Sequence, residues 1–139
     1  MITNMASIQA SDAEATPVLH TYTPASRVAE NVARWVDREH NNGIAIGFSE
    51  FTFSVRDPLK NEKTPVFREK VTFVDPIVDI TIPTAPVLIA SPRATLEFLF
   101  PAIMSEQQRK NFVAKFQSMM VLGAATRLGD NIVAMSLPY

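Results

Sequence analysis

The chain has no cysteine, which removes disulfides, thiol nucleophiles and cysteine-based zinc sites in one step. Glycine is scarce: there are four, all isolated, so no glycine-rich phosphate loop can be built. No apolar run reaches the length that spans a bilayer. The first residues lack a basic segment followed by an apolar core, so a signal peptide is not expected. Neither an H-E-x-x-H nor a G-x-S-x-G pattern occurs, and the two histidines, His20 and His40, fall in different predicted elements. Carboxylates are scattered rather than paired. An enzyme is not expected on these grounds, and neither a cofactor nor a metal site is expected. The formal charge of −1 argues against nucleic-acid binding by the whole surface, but leaves room for a local basic face.

What is present suits a single domain, residues 1–139, with 47% hydrophobic residues to form a core. Ten prolines point to rigid loops rather than flexible ones. The stretch Arg93–Met120 sets the frame. Arg93, Thr95 and Glu97 alternate with Ala94, Leu96, Phe98 and Phe100, the pattern of a strand with one wet and one buried face. Pro101 stops that ladder, having no N–H to donate. Ser105 then reads as a helix N-cap with Gln108 completing a capping box. Phe112, Val113, Phe116, Met119 and Met120 supply an apolar stripe at helical spacing.

Upstream, residues 1–6 read as loose. Ser7–Ala10 and Pro17–Thr23 are short alternating runs, predicted as a hairpin over 7–23. Pro24 to Ser26 is a turn. Arg27–Glu39 fits helical and strand spacing equally well, since Val32, Arg34, Val36 and Arg38 also alternate. His40-Asn41-Asn42-Gly43 is a turn signal. Ile44–Asp57 is the clearest predicted strand, with Thr52, Ser54 and Arg56 opposite Phe51, Phe53 and Val55. Pro58–Pro65 is a charged hairpin loop, and Val66–Asp75 returns with Arg68, Lys70 and Thr72 on one face. On the other lie Phe67, Glu69, Val71 and Phe73. Residues 76–92 form a long, proline-rich, apolar loop that an isolated monomer would not expose freely. Gly123 is the expected C-cap of the main helix, and Thr126–Ser136 reads as a second, shorter helix. Strands first and helices last predict an antiparallel α+β fold.

The chemistry in this pattern is a polar face shared by three strands. Thr52, Ser54 and Arg56, then Arg68, Lys70 and Thr72, then Arg93, Thr95 and Glu97 share one side if the strands pair. Four cations among hydroxyls suit phosphate and base edges, although a merely solvated sheet face is the commoner meaning of such alternation. The opposite side is heavily aromatic and exceeds what one modest helix covers. An obligate dimer that exchanges helices would cover it.

These segments resemble the coat proteins of single-stranded RNA bacteriophages of the levivirus type. The resemblance rests on the VARW segment ending at Trp35, Phe53-Ser54-Val55-Arg56, Lys70-Val71, Thr95-Leu96-Glu97-Phe98 up to Pro101, the two helices and the tyrosine at 139. It covers about residues 7–139, each motif short but all in order. It implies an N-terminal hairpin, a five-stranded antiparallel sheet over 27–100 interrupted by the loop 76–92, and helices over 105–136. It implies further an intertwined homodimer with a ten-stranded sheet. Dimers would close an icosahedral shell in the host bacterium, residing in the virion with no membrane partner. The polar face would meet single-stranded viral RNA, and an operator hairpin would make the protein a translational repressor. The residues matching the family's RNA contacts are Val32, Thr52, Ser54, Arg56, Arg68, Lys70, Arg93, Thr95 and Glu97. The best-known members have a tyrosine at the Arg93 position, an asparagine at Thr95, a threonine at Arg68 and a lysine at Glu50. These departures imply a different operator or weaker specificity.

Two other classes compete. A small dimeric α+β enzyme or ligand-binding domain would need a polar pocket between sheet and helices, and only Glu69 clearly points that way. A cellular single-strand binder would stack bases on aromatics from its wet face, whereas here the aromatics fall on the dry face.

Overall fold

A computed structural model describes residues 6–25 and 31–137. Residues 1–5 of the expected loose start, Ser26 of the predicted turn, residues 27–30 of the ambiguous stretch, and residues 138 and 139 lie outside them. The chain divides into two compact units, Met1–Leu99 and Phe100–Tyr139.

The first unit is an antiparallel sheet. Its strands are β1 (Ile8–Ser11), β2 (Leu19–Pro24), β3 (Val32–Asp37), β4 (Ser49–Arg56) and β5 (Val66–Val74), followed in the sheet by β8 (Arg93–Pro101). The order β1-β2-β3-β4-β5-β8 makes the N-terminal hairpin continuous with four further strands, six in one sheet, where five were expected over 27–100 beside a separate hairpin. The link is narrow, because β2 joins β3 only through Thr23↔Val36 and Pro24↔Trp35. Val32–Asp37, which sequence periodicity left undecided, is a strand: β4 offers it a full ladder from Val32↔Ser54 to Asp37↔Ser49. Tertiary pairing thereby overrides an equally good helical spacing.

Three expectations change. Ile44–Phe48 is not strand but a 3-10 turn at Ala45–Gly47, with β4 starting at Ser49. The Asn41 amide donates to the Gly47 carbonyl at 2.9 Å and to the Pro76 carbonyl at 2.8 Å, so the chain folds back there instead of extending. A Cβ on Gly47 would lie 2.6 Å from the Asn41 amide nitrogen and 2.8 Å from a Val78 methyl, so this close approach requires glycine. The second change is the loop 76–92, which contains a separate hairpin of β6 (Ile77–Asp79) and β7 (Val87–Ala90). Pro76, Pro83, Pro86 and Pro92 all stand outside these strands, punctuating them without breaking their ladder. The Asp75 N–H donates to the Pro92 carbonyl at 3.0 Å and closes the base of this excursion.

The second unit holds α1 (Glu106–Met119) and α2 (Gly129–Ala134). The capping box forms as its residues dictate: Ser105 Oγ accepts from the Gln108 N–H, and Gln108 accepts from the Ser105 N–H. Here lies the third change. The helix ends at Met120, not at Gly123. Gly123 sits three residues later with φ +77° in the interhelical turn, where its N–H donates to the Asp130 carboxylate at 2.9 Å. Helix α2 is shorter than Thr126–Ser136 because Met135 turns left-handed and ends it. Gly129 is buried where a Cβ would strike the carbonyl oxygens of Met120 and Val121, which fixes the tight return of the chain.

The aromatic core of the sheet is compact. Phe51 stacks on Phe73 at 4.4 Å between centroids, and Tyr22 meets Phe51 edge-on at 4.8 Å. The Tyr22 hydroxyl bonds Ser49 Oγ, which in turn donates to the Val74 carbonyl at 3.1 Å. Trp35, 6% exposed, donates its indole N–H to the Ala6 carbonyl at 3.0 Å. Among the described residues the buried apolar side chains are few: Tyr22, Trp35, Val36, Val78 and Phe100. A much longer set stays exposed, including Val87, Leu88 and Ile89 of β7 and Val113, Met119 and Met120 in and beside α1.

Candidate nucleic-acid interface

The register places the polar residues in rows across the sheet. Val32, Ser54 and Lys70 form one row, since Val32 opposes Ser54 and Ser54 opposes Lys70. Arg34, Thr52 and Thr72 form the next. Arg56 opposes Arg68 in a third row, and Arg68 reaches Glu97 of β8 at 3.6 Å. Opposed residues of an antiparallel pair stand about 5 Å apart, and alternate residues share a face. Six of the expected residues, Val32, Thr52, Ser54, Arg56, Arg68 and Lys70, are therefore brought together by register. Glu97 joins them through its ion pair. Arg93 and Thr95 are exposed and precede Glu97 by two-residue steps along β8.

The electrostatics of this face are uneven. Two arginines opposed across a strand pair repel one another, and Glu97 offsets only part of that. Arg68 Nε is buried and has no hydrogen-bond partner among the described residues. Among the described residues no carboxylate pairs with Arg56, Lys70 or Arg93. The exception lies one row away. Arg34 donates through Nε and Nη2 to one Glu50 oxygen, at 2.9 and 2.6 Å, and neutralises it. Arg34 and Glu50 belong to this face but were not among the expected site residues. The alternation Val32-Arg34-Val36 carries the signal, hidden by the helix-or-strand ambiguity of the segment. Glu50 is thus held by an arginine of the neighbouring strand.

A second polar cluster was not foreseen at all. His20 and His40 lie on the dry side at one end of the sheet, with ring centroids 6.2 Å apart. His20 Nε2 meets Asp12 Oδ2 at 2.8 Å, and its Nδ1 lies 3.4 Å from Asp37 Oδ2. His40 Nε2 lies 3.0 Å from Asp75 Oδ1 and 3.2 Å from the Pro76 carbonyl. The Asp12 bond raises the His20 pKa above its ordinary value, partly opposed by burial. The Val18 N–H, then His20, hold the Asp12 carboxyl below its usual range. Burial pushes the Tyr22 hydroxyl up, although its bond to Ser49 works the other way. A cavity of about 270 Å³ lies beside the cluster, walled by Ala10, Tyr22, Phe51 and Phe73.

The sequence profile described as levivirus coat protein matches residues 3–139. A virus-like particle of bacteriophage ESE058 has a subunit that superposes with a TM-score of 0.83 at 20% identity, covering 99% of this chain and 100% of that one. A virus-like particle of Beihai levi-like virus 21 gives 0.80 at 22% identity, covering 99% of each chain. An unassembled bacteriophage coat protein dimer, described as RNA-binding, gives 0.68 at 16% identity, again over 99% of each. No curated protein sequence matches the chain. The curled antiparallel sheet followed by helices is the fold of these coat proteins.

Proposed function

This chain belongs to the levivirus coat protein family, structural capsid proteins rather than enzymes, and from that premise we propose how it works. The 139 residues act as one coat-protein domain. Two copies form an obligate homodimer, dimers close an icosahedral shell, and the polar sheet face holds single-stranded viral RNA inside it. Assembly takes place in the bacterial cytoplasm, and an operator hairpin bound on the same face represses translation. Among the described residues no helix is long and apolar enough to cross a membrane.

The observation that carries the RNA reading is the Arg56–Arg68 opposition with Lys70 on the next row. A cation pair held together by register, with no carboxylate on Arg56 among the described residues, is complementary to a phosphate. Ser54, Thr52 and Thr95 add hydroxyls for phosphate or base edges, and Arg93 can stack on a base while pairing with phosphate. Self-association is supported by the apolar surface on α1 and on β7, which a lone subunit would leave in water.

The test is light scattering on the recombinant protein after size exclusion, with absorbance at 260 and 280 nm. A megadalton particle carrying host RNA is expected, and raised salt should weaken the RNA association through counterion release. A nucleic-acid-free monomer or dimer that never assembles, even with RNA added, would overturn the proposal.

A further inference from the structure

We propose that His20, Asp37 and His40 form a binding site for one divalent transition-metal ion of the zinc class. The three residues come from β2, the end of β3 and the turn that follows it. One ligand atom from each lies within 4.8 Å of the others. Tetrahedral zinc with bonds of about 2.0–2.1 Å sets its ligand atoms about 3.3 Å apart. The His20 Nδ1 to Asp37 Oδ2 separation, 3.4 Å, already matches that edge. Only His40 has to move closer.

The surroundings are those of ligands rather than of surface histidines. A metal-bound imidazole donates its other ring N–H to a carboxylate or carbonyl, which fixes the tautomer and strengthens the ligand. Both rings here do so through Nε2: His20 to Asp12, and His40 to Asp75 and the Pro76 carbonyl. That leaves Nδ1 of each for the ion. Asp37 is 3% exposed, and its Oδ1 is occupied by the Glu39 N–H at 3.0 Å, so Oδ2 is the oxygen free to ligate. A carboxylate buried this deeply needs a cation or strong donors beside it. Two imidazoles and a carboxylate suit zinc, nickel or copper, and poorly suit magnesium or calcium, which prefer all-oxygen shells. His20, Asp37 and His40 also line an open cleft, so an ion reaches them from solvent.

The ion would do structural work. Strands β2 and β3 pair at Thr23↔Val36 and Pro24↔Trp35, and the ladder ends there. Asp37 follows directly on that last pair, and His20 lies three residues past Thr23 on the facing strand. A metal bridging them would tie the hairpin to the sheet where hydrogen bonding has run out.

The experiment counts metal by plasma mass spectrometry on full-length protein that has been stripped with a chelator, reloaded with zinc and gel-filtered. One zinc per subunit is expected, with a melting temperature that rises with zinc concentration. Cobalt loading should give the intense visible absorption of a tetrahedral site. His40→Gln, at a half-buried turn position, should abolish binding while keeping the metal-free melting temperature. Asp12→Asn, which removes only the partner of His20, should weaken zinc about 10–100-fold and keep the cobalt spectrum. Wild-type protein that retains no zinc above a mock-loaded control would overturn the proposal. So would equal zinc retention by His40→Gln and wild type, which would mean adventitious binding. Neither readout requires RNA or a shell, so the result is independent of the function proposed above.

Discussion

Two hairpins of this molecule differ in pattern and end in different surroundings. The β4–β5 pair runs through seven consecutive partners from Glu50↔Val74 to Arg56↔Arg68. Apart from Glu69 on the one side and Glu50 and Val74 on the other, it puts aromatic and aliphatic side chains on one face and cations with hydroxyls on the other. The β6–β7 pair has three partners and an irregularity between Ile77 and Val78. Of its residues only Val78 is buried, and every residue of β7 is exposed. Alternation gives the first hairpin a face to bury within its own unit. The second carries one polar side chain, Asp79, among exposed aliphatics, so most of its surface suits contact with another subunit better than contact with water.

The sharpest way to break the comparison is Phe51→Ala. It removes the ring stacked on Phe73 and met edge-on by Tyr22. A loss of about 3 kcal/mol is expected in denaturant unfolding of the subunit. A loss under about 1 kcal/mol would mean that the aromatic side of β4–β5 contributes little. Gly47→Ala should cost less, about 2 kcal/mol, because the added methyl must displace Asn41 or Val78, where the β6–β7 hairpin meets the sheet. Its unfolding midpoint measures how firmly that hairpin is anchored. Arg56→Glu should leave stability nearly unchanged and lower RNA affinity about tenfold. It should also reduce the salt slope of a filter-binding titration by about one phosphate contact. An unchanged slope would remove Arg56 from the interface. Least disruptive to the fold is Ile89→Asp, an exposed position at which stability should shift by no more than about 0.5 kcal/mol. Electron microscopy should nevertheless show that shells fail to close. Normal particles from this variant would end the view of β7 as a contact surface.

The same contrast explains what the sequence could and could not disclose. Strict alternation made Thr52, Ser54, Arg56, Arg68 and Lys70 legible as one face, and β4 and β5 do pair so that these residues fall on alternate rows of the ladder. The capping box at Ser105 was legible because both partners are three residues apart. The turn at Ala45–Gly47 was hidden, since an apolar run reads as strand and the Asn41 amide that holds the Gly47 carbonyl is itself fixed by the Pro76 carbonyl, far along the chain. The β6–β7 hairpin was masked by its prolines. Arg34 was lost with the ambiguous period of its segment, although its salt bridge to Glu50 now accounts for the acid on a basic face. The histidine cluster was beyond reach, because His20 of β2 and His40 of the turn after β3 meet only once the chain has folded.

The indole bond from Trp35 to the Ala6 carbonyl gives the protein a built-in optical probe. The chain has a single tryptophan, so its fluorescence spectrum carries one signal from one place. That place is where the residue leading into β1 meets β3. Detachment of the N-terminal hairpin would hydrate the ring and shift its emission to longer wavelength, even with β3, β4 and β5 intact. Stopped-flow fluorescence would then time the docking of that hairpin, without a label, while the subunit folds or the shell comes apart.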